Sequence, residues 1–308
     1  MNIVYKSEPE RGRKWAALLA DLVPGASFRQ WPEVGNADEV EYLVAWQPPE
    51  NIMQQFPNLK VLFSVGAGAD QFDYASLPPS LPVVRMIEPG LTQGMVEYVT
   101  FAVLGLHRDM PRYLHQQREA VWQAHSMRSA ADCRIGVMGL GNLGEAVLKP
   151  LVAMGFDCGG WNRSPRNLPG VRCWTGEEQL GEFLARTDIL ICLLPLTAST
   201  EGILNADLFR QLPRGASLIQ VGRGPQLDHD ALLGALDEKH LSAAVIDVTV
   251  PEPLPAGHRF WQHPQIWLTP HIASQTQPES AVVALLENIR RFERGETMVG
   301  LVDREKGY

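Results

Sequence analysis

Cysteine is scarce in this chain, with only Cys133, Cys158, Cys173 and Cys192 among 308 residues. They make no Cys-x-x-Cys pair and have no paired histidine spacing beside them. Neither a disulfide framework nor a zinc site is expected, and no metal. Positive charge is also in deficit: 27 Lys and Arg stand against 35 Asp and Glu, a formal net charge of −8. Nucleic acid and anionic membrane surfaces recruit clustered cations, so neither is expected as a partner. Long hydrophobic runs are missing too. The nearest candidate, residues 95–106, is interrupted by Glu97, Tyr98 and Thr100 and falls short of the roughly 18 residues that cross a bilayer. The opening MNIVYKSEPE has no long apolar segment or small-residue cleavage site, so a cytoplasmic protein is expected. Internal repeats and low-complexity tracts are absent. What remains is an ordinary globular composition, 45% hydrophobic and 20% charged, long enough for about two domains.

Short β-rich apolar runs alternate with helix-period stretches, the pattern of βαβ units on parallel sheets. The expected fold is therefore α/β, with two Rossmann-like, doubly wound parallel-sheet lobes. In the first lobe, strands are expected at residues 3–5, 42–46, 61–65 and 83–85, with a helix at 14–22. Residues 91–114 read as one long apolar helix stopped near Pro111, suited to a hinge, a dimer face or both. The second lobe has strands at 134–138, 157–161, 189–194, 217–221, 243–248 and 266–269. Helices are expected between them at 144–154, 177–186, 205–211 and 228–238. A final helix at 280–294 carries apolar residues at helical spacing and is expected to pack back across a lobe.

The sequence Gly139-Leu-Gly141-Asn142-Leu143-Gly144 leaves a strand and opens a helix, the context of a dinucleotide fingerprint. Gly139 permits the tight turn, Gly141 lets backbone approach a pyrophosphate, and Gly144 lets helix and strand pack closely. The helix N-terminus then offers N–H groups and the positive end of its dipole. An ordinary glycine-rich turn is the bland alternative. About 20 residues on, where an NAD-binding chain places an acid on the ribose, stand Asn162, Arg163 and Ser164, with Arg166 nearby. Guanidinium suits a 2′-phosphate, so NADPH is favoured and NADH remains possible.

Three later strand ends carry complementary groups: Gly222-Arg223-Gly224, Asp247-Val-Thr-Val-Pro-Glu252, and Pro270-His271. Loops beyond the carboxyl ends of a doubly wound sheet are where ligands sit, so an arginine, a glutamate and a histidine meet beside the cofactor crevice. Reducing a 2-oxo acid needs a cation for its carboxylate, a proton donor for the alkoxide, and a group that keeps the donor charged. Arg223, His271 and Glu252 suit these tasks. Each alone could be a surface or loop residue; their joint placement carries the reading. The other seven histidines have no partner identifiable from sequence. In the first lobe, the Gly66-Ala67-Gly68 strand exit could present backbone N–H groups to a small anion, although a simple tight turn is nearly as good a description. Trp46 could wall a substrate pocket or sit half-buried in the core.

With GAGAD, GLGNLG, LLPLT, VGRG, HDALLGAL, DVTVPEPLP and LTPHIAS in order, the chain resembles the D-isomer-specific 2-hydroxyacid dehydrogenases over essentially its full length. AWQPP, WNRS, FWQHP and VDREKGY point within that family to the subgroup acting on glyoxylate and hydroxypyruvate. The resemblance implies Arg223, Glu252 and His271 as the catalytic trio, and backbone at Ala67 and Gly68 as the holder of the substrate carboxylate. It implies that Leu194, Pro195 and Thr197 line the cofactor, with Asp247 near the nicotinamide. It further implies a cofactor domain, 99–275, inserted into a discontinuous substrate domain, 1–98 plus 276–308, and a homodimer joined through the long helix. Three positions depart from the family: Gln220 replaces a usual Asn, Thr249 a usual Phe, and Asn162 the ribose-binding acid. The expected activity is NADPH-preferring reduction of small 2-oxo acids. NADH-linked oxidation of another D-2-hydroxy acid, and a non-catalytic dinucleotide sensor, are the alternatives.

Overall fold

The computed structural model describes residues 1–308, which divide into two compact units: Met1–Leu91 with Gln275–Tyr308, and Thr92–Ser274. The first is built on five parallel strands, β1 Asn2–Lys6, β2 Ser27–Gln30, β3 Tyr42–Ala45, β4 Val61–Ser64 and β5 Val83–Val84, in the order β2-β1-β3-β4-β5. Its helices are α1 Pro9–Leu22, the short α2 Ile52–Gln55, and α9 Pro278–Glu293. All four residues of β3 and of β4 are buried, as expected of strands covered on both faces. Alternate side chains serve the two faces. Tyr42, Val44, Val61 and Phe63 pack with Trp15 and Leu19 of α1 and with Val282, Leu285 and Ile289 of α9. Leu43, Ala45 and Leu62 face Ile52, Phe56 and Phe72 on the other side. The C-terminal helix thus packs back onto the first unit.

The second unit carries seven parallel strands: β6 Arg134–Met138, β7 Asp157–Asn162, β8 Val171–Thr175, β9 Ile189–Cys192, β10 Ala216–Gln220, β11 Leu241–Ile246 and β12 Ile266–Leu268. Their order is β12-β11-β10-β9-β6-β7-β8. The chain therefore moves outward from β6 to β8, returns to β9, and moves outward again to β12. The crevice between β6 and β9 is the topological switch point, the usual ligand position in such sheets. Helices α5 Asn142–Ala153, α6 Leu180–Ala185, α7 Ala206–Gln211 and α8 His229–Asp237 connect the strands.

The long helix expected at 91–114 is two helices. α3 spans Pro89–His107 and α4 spans Met110–Arg118. Pro111 lacks an N–H, and in a continuous helix its ring would press on the carbonyl of His107. Asp109 absorbs the break in a left-handed conformation with φ 54°, and the proline opens α4 instead. Strands β2 and β8 were not expected. Both lie at sheet edges, where exposed residues such as Arg29 and Arg172 interrupt the apolar pattern. No helix is long and apolar enough to cross a membrane.

Candidate active site

The glycine turn after β6 takes the shape its sequence predicts. Gly139 has φ 98°, a conformation L-residues avoid, and its N–H donates to the Trp161 carbonyl at 2.9 Å. A Cβ on Gly144 would stand 1.9 Å from the Gly139 oxygen, so only glycine lets α5 approach the turn this closely. A Cβ on Gly141 would meet nothing within 4 Å. The space in front of the α5 N-terminus is open, and the residues present fit a dinucleotide diphosphate there. Leu143 packs partly into the core and Asn142 donates to Thr92 Oγ1 at 3.2 Å.

Asn162 ends β7 and is tied to this turn: its Oδ1 accepts the Leu140 N–H at 3.2 Å and its Nδ2 donates to the Ser164 carbonyl at 2.9 Å. Arg163, Ser164 and Arg166 follow on the surface, Arg166 reaching Glu145 at 3.4 Å. After β9, Leu194 is buried, while Pro195 and Thr197 are half-buried. The Thr197 N–H donates to Thr200 Oγ1 at 2.8 Å, and that hydroxyl donates to the Pro195 carbonyl at 2.6 Å, which closes the loop into a fixed shape.

The structure brings the predicted trio together at the ends of β10, β11 and β12. His271 Nδ1 lies 2.9 Å from Glu252 Oε2, and the other carboxylate oxygen of Glu252 accepts the Thr249 N–H at 3.0 Å. Burial alone would raise the Glu252 carboxyl. The hydrogen bonds from His271 and Thr249, with the positive charges of His271 and Arg223, outweigh it and hold the group below its ordinary range. An ionised Glu252 can only accept, so Nδ1 of His271 carries a hydrogen. Thr249, where the family more often has Phe, thus supports the acid through its backbone and turns its hydroxyl onto the Pro251 carbonyl at 3.0 Å.

His271 itself sits at φ 54°. Asp247, 2% exposed, holds this turn: its carboxylate accepts the Thr269 hydroxyl at 2.6 Å and the N–H groups of Ile272 and Ala273 at 2.8 and 2.9 Å. Its backbone carbonyl accepts the His271 N–H at 2.8 Å. Tyr98 of α3 extends the chain, its hydroxyl 2.5 Å from that of Thr269. Burial pushes the Tyr98 hydroxyl up to about 12, so it stays neutral. Sequence reading missed Tyr98 and Thr269 as parts of this assembly, since neither residue type at that spacing signals it. Several of the remaining histidines find local partners, among them His229 with His258 at 3.2 Å and His240 with the Phe209 carbonyl at 2.8 Å.

In the first unit, the half-buried Gly66-Ala67-Gly68 exit of β4 is organised by Ser64, which was not foreseen. Its fully buried hydroxyl donates to the Gly68 carbonyl at 2.7 Å and accepts the Gly66 N–H at 3.2 Å. The Trp46 ring is partly buried against the core of this unit and lies close over Gly66, where an added Cβ would stand 3.3 Å from it.

Comparison with known proteins agrees with this geometry. Residues 100–273 match the family model described as D-isomer specific 2-hydroxyacid dehydrogenase, NAD binding domain. Proteins named glyoxylate/hydroxypyruvate reductase A from Yersinia enterocolitica and Serratia proteamaculans are each 38% identical over 314 aligned residues, covering all of both chains. A D-isomer specific 2-hydroxyacid dehydrogenase from Xanthobacter autotrophicus, solved with NADPH and MES, superposes with a TM-score of 0.95 at 40% identity, over 100% of this chain and 99% of that one. An NADPH-dependent glyoxylate/hydroxypyruvate reductase from Sinorhizobium meliloti, solved with NADP and sulfate, gives 0.92 at 35% identity over the whole of both chains. With the glycine turn at the switch point and the three strand-end residues in place, the chain belongs to the D-isomer specific 2-hydroxyacid dehydrogenase family.

Proposed function

We propose that this protein is an NADPH-preferring reductase of small 2-oxo acids, with glyoxylate and hydroxypyruvate as substrates. The observation that carries the reading is the 2.9 Å contact between His271 and an ionised Glu252, within the electrostatic reach of Arg223. Gly139, Gly141, Asn142, Leu143 and Gly144 would hold the dinucleotide diphosphate, and Leu194, Pro195 and Thr197 would line the bound molecule. Arg163, Ser164 and Arg166 would receive the ribose phosphate. NADPH bound there would supply a hydride to the carbonyl carbon.

The chain's own residues supply the rest. Arg223 grips the substrate carboxylate and polarises its carbonyl oxygen. His271 gives the proton from Nε2 to the developing alkoxide. Glu252 stabilises the charged imidazole and fixes its orientation through Nδ1. Asp247 maintains the loop that presents the imidazole. In the first unit, backbone N–H groups of Ala67 and Gly68 are offered to a carboxylate, with Trp46 beside them. Four cysteines, all free thiols, suit a cytoplasmic protein. Phe101 of α3 at 66% exposure and Trp122 at 104% suit a homodimer contact near the α3 and α4 segment.

Initial rates of NADPH and NADH oxidation against glyoxylate, hydroxypyruvate, pyruvate and phenylpyruvate test the assignment. Fastest turnover with NADPH and the two smaller named acids is expected. Preference for NADH with a bulkier acid would replace it with the dehydrogenase of another hydroxy acid.

A further inference from the structure

Two glutamines, Gln220 at the end of β10 and Gln226 six residues further on, are completely buried. A buried amide is costly unless its groups are paired, and these are paired with the main chain around Arg223. Gln220 Nε2 donates to the Arg223 carbonyl at 2.7 Å, and its Oε1 accepts the Gly222 N–H at 3.3 Å. Gln226 Oε1 accepts the Arg223 N–H at 2.8 Å. The Nε2 of Gln226 donates to both the Leu194 and Pro195 carbonyls at 3.0 Å. One side chain therefore spans the loop that carries the arginine and the loop after β9.

We propose that Gln226 is a positioning residue for the reaction, fixing Arg223 against the Leu194–Pro195 segment. The proposal rests on the reading that Arg223 binds the substrate carboxylate and that this segment lines the cofactor. The role demands an amide. One acceptor and two donors lie in a single plane, whereas glutamate lacks the donors and leucine lacks all three. The glycines flanking Arg223 follow from the same arrangement. A Cβ on Gly222 would stand 2.3 Å from Gln226 Oε1, and one on Gly224 would stand 2.0 Å from the Thr249 carbonyl oxygen. The chain passes so close to the amide on one side and to the Glu252 loop on the other that only Arg223 carries a side chain in this stretch.

The test compares R223K, Q226L and the double variant with glyoxylate and NADPH, using full-length protein and rates corrected for the folded fraction. Q226L is expected to lower kcat/KM for glyoxylate about tenfold to a hundredfold, with a smaller change in the NADPH dissociation constant. The double variant should fall little below R223K alone, since both act through one group. A Q226L enzyme with reduced Tm and wild-type kinetics would make Gln226 merely structural and overturn the proposal. If R223K leaves kcat/KM intact, the reading of Arg223 fails first and the proposal falls with it. Should Q226L not fold, Q226M, which keeps the length of the side chain and lacks the amide, replaces it. The same loss of kcat/KM is expected, and wild-type kinetics in Q226M overturn the proposal.

Discussion

His271 holds a left-handed backbone conformation that costs about 1–3 kcal/mol at a residue with a Cβ, and the hydrogen bonds to Asp247 keep it there. Strain that is over-determined by its surroundings marks a side chain whose direction matters. H271A is expected to lower kcat by about 10²–10⁴-fold while leaving the NADPH dissociation constant nearly unchanged, as stopped-flow rates and fluorescence titration will read. Wild-type turnover would remove the imidazole from the reaction. The depressed Glu252 carboxyl sets the pH behaviour. A group whose folded pKa lies below its unfolded value stays ionised as pH falls through the ordinary glutamate range near 4.3, and its support for the pair is lost only below that. No acid limb due to Glu252 should therefore appear in kcat/KM between pH 7 and about 5. In E252Q the carboxylate partner of His271 Nδ1 is lost, and kcat for reduction should fall while the NADPH dissociation constant stays nearly unchanged. Wild-type kcat in E252Q would detach Glu252 from proton donation.

At the scale of elements, one buried carboxylate does work that periodicity does not reveal. Glu88, 2% exposed, accepts the N–H groups of Gly90 and Leu91 at the start of α3, at 2.5 and 2.7 Å. It also accepts the Gln277 N–H and the Ser280 hydroxyl at the start of α9, at 3.1 and 2.5 Å. Acidic groups favour helix N-termini, and here one serves two. E88A leaves these donors without their acceptor and should destabilise the protein by at least about 2 kcal/mol, seen as a lower urea midpoint at unchanged slope. A midpoint within error of wild type would show that water replaces the carboxylate without cost. The same scale explains the misread helix. An apolar pattern continues past His107, but Pro111 cannot continue the hydrogen-bond ladder, and the break falls where Asp109 can adopt φ 54°.

For the whole molecule, a ligand that binds only the folded chain stabilises it by mass action. NADPH at a hundred times its dissociation constant should add about 2.7 kcal/mol, read as a rise in the urea midpoint. NADH at the same concentration should add less, and R163A should narrow the difference between the two. Equal stabilisation by both in the wild-type chain would argue against a 2′-phosphate contact. The strand-by-strand alternation of apolar and helical segments made both parallel sheets legible, because buried strands must be apolar throughout. Edge strands β2 and β8 escaped notice because solvent relaxes that requirement.

The sequence alone determined the glycine turn, the missing ribose acid at Asn162 and the identity of Arg223, Glu252 and His271. Glycine geometry and charge type are local properties that survive without a fold. Tertiary structure decided how Glu252 reaches His271 across 19 residues, how Asp247 fixes the turn and how Gln226 ties the Arg223 loop to carbonyls 31 and 32 residues away from it. A buried hydrogen bond is specified by the packing that excludes water from it, and packing is a property of the assembled sheet and not of any stretch of chain.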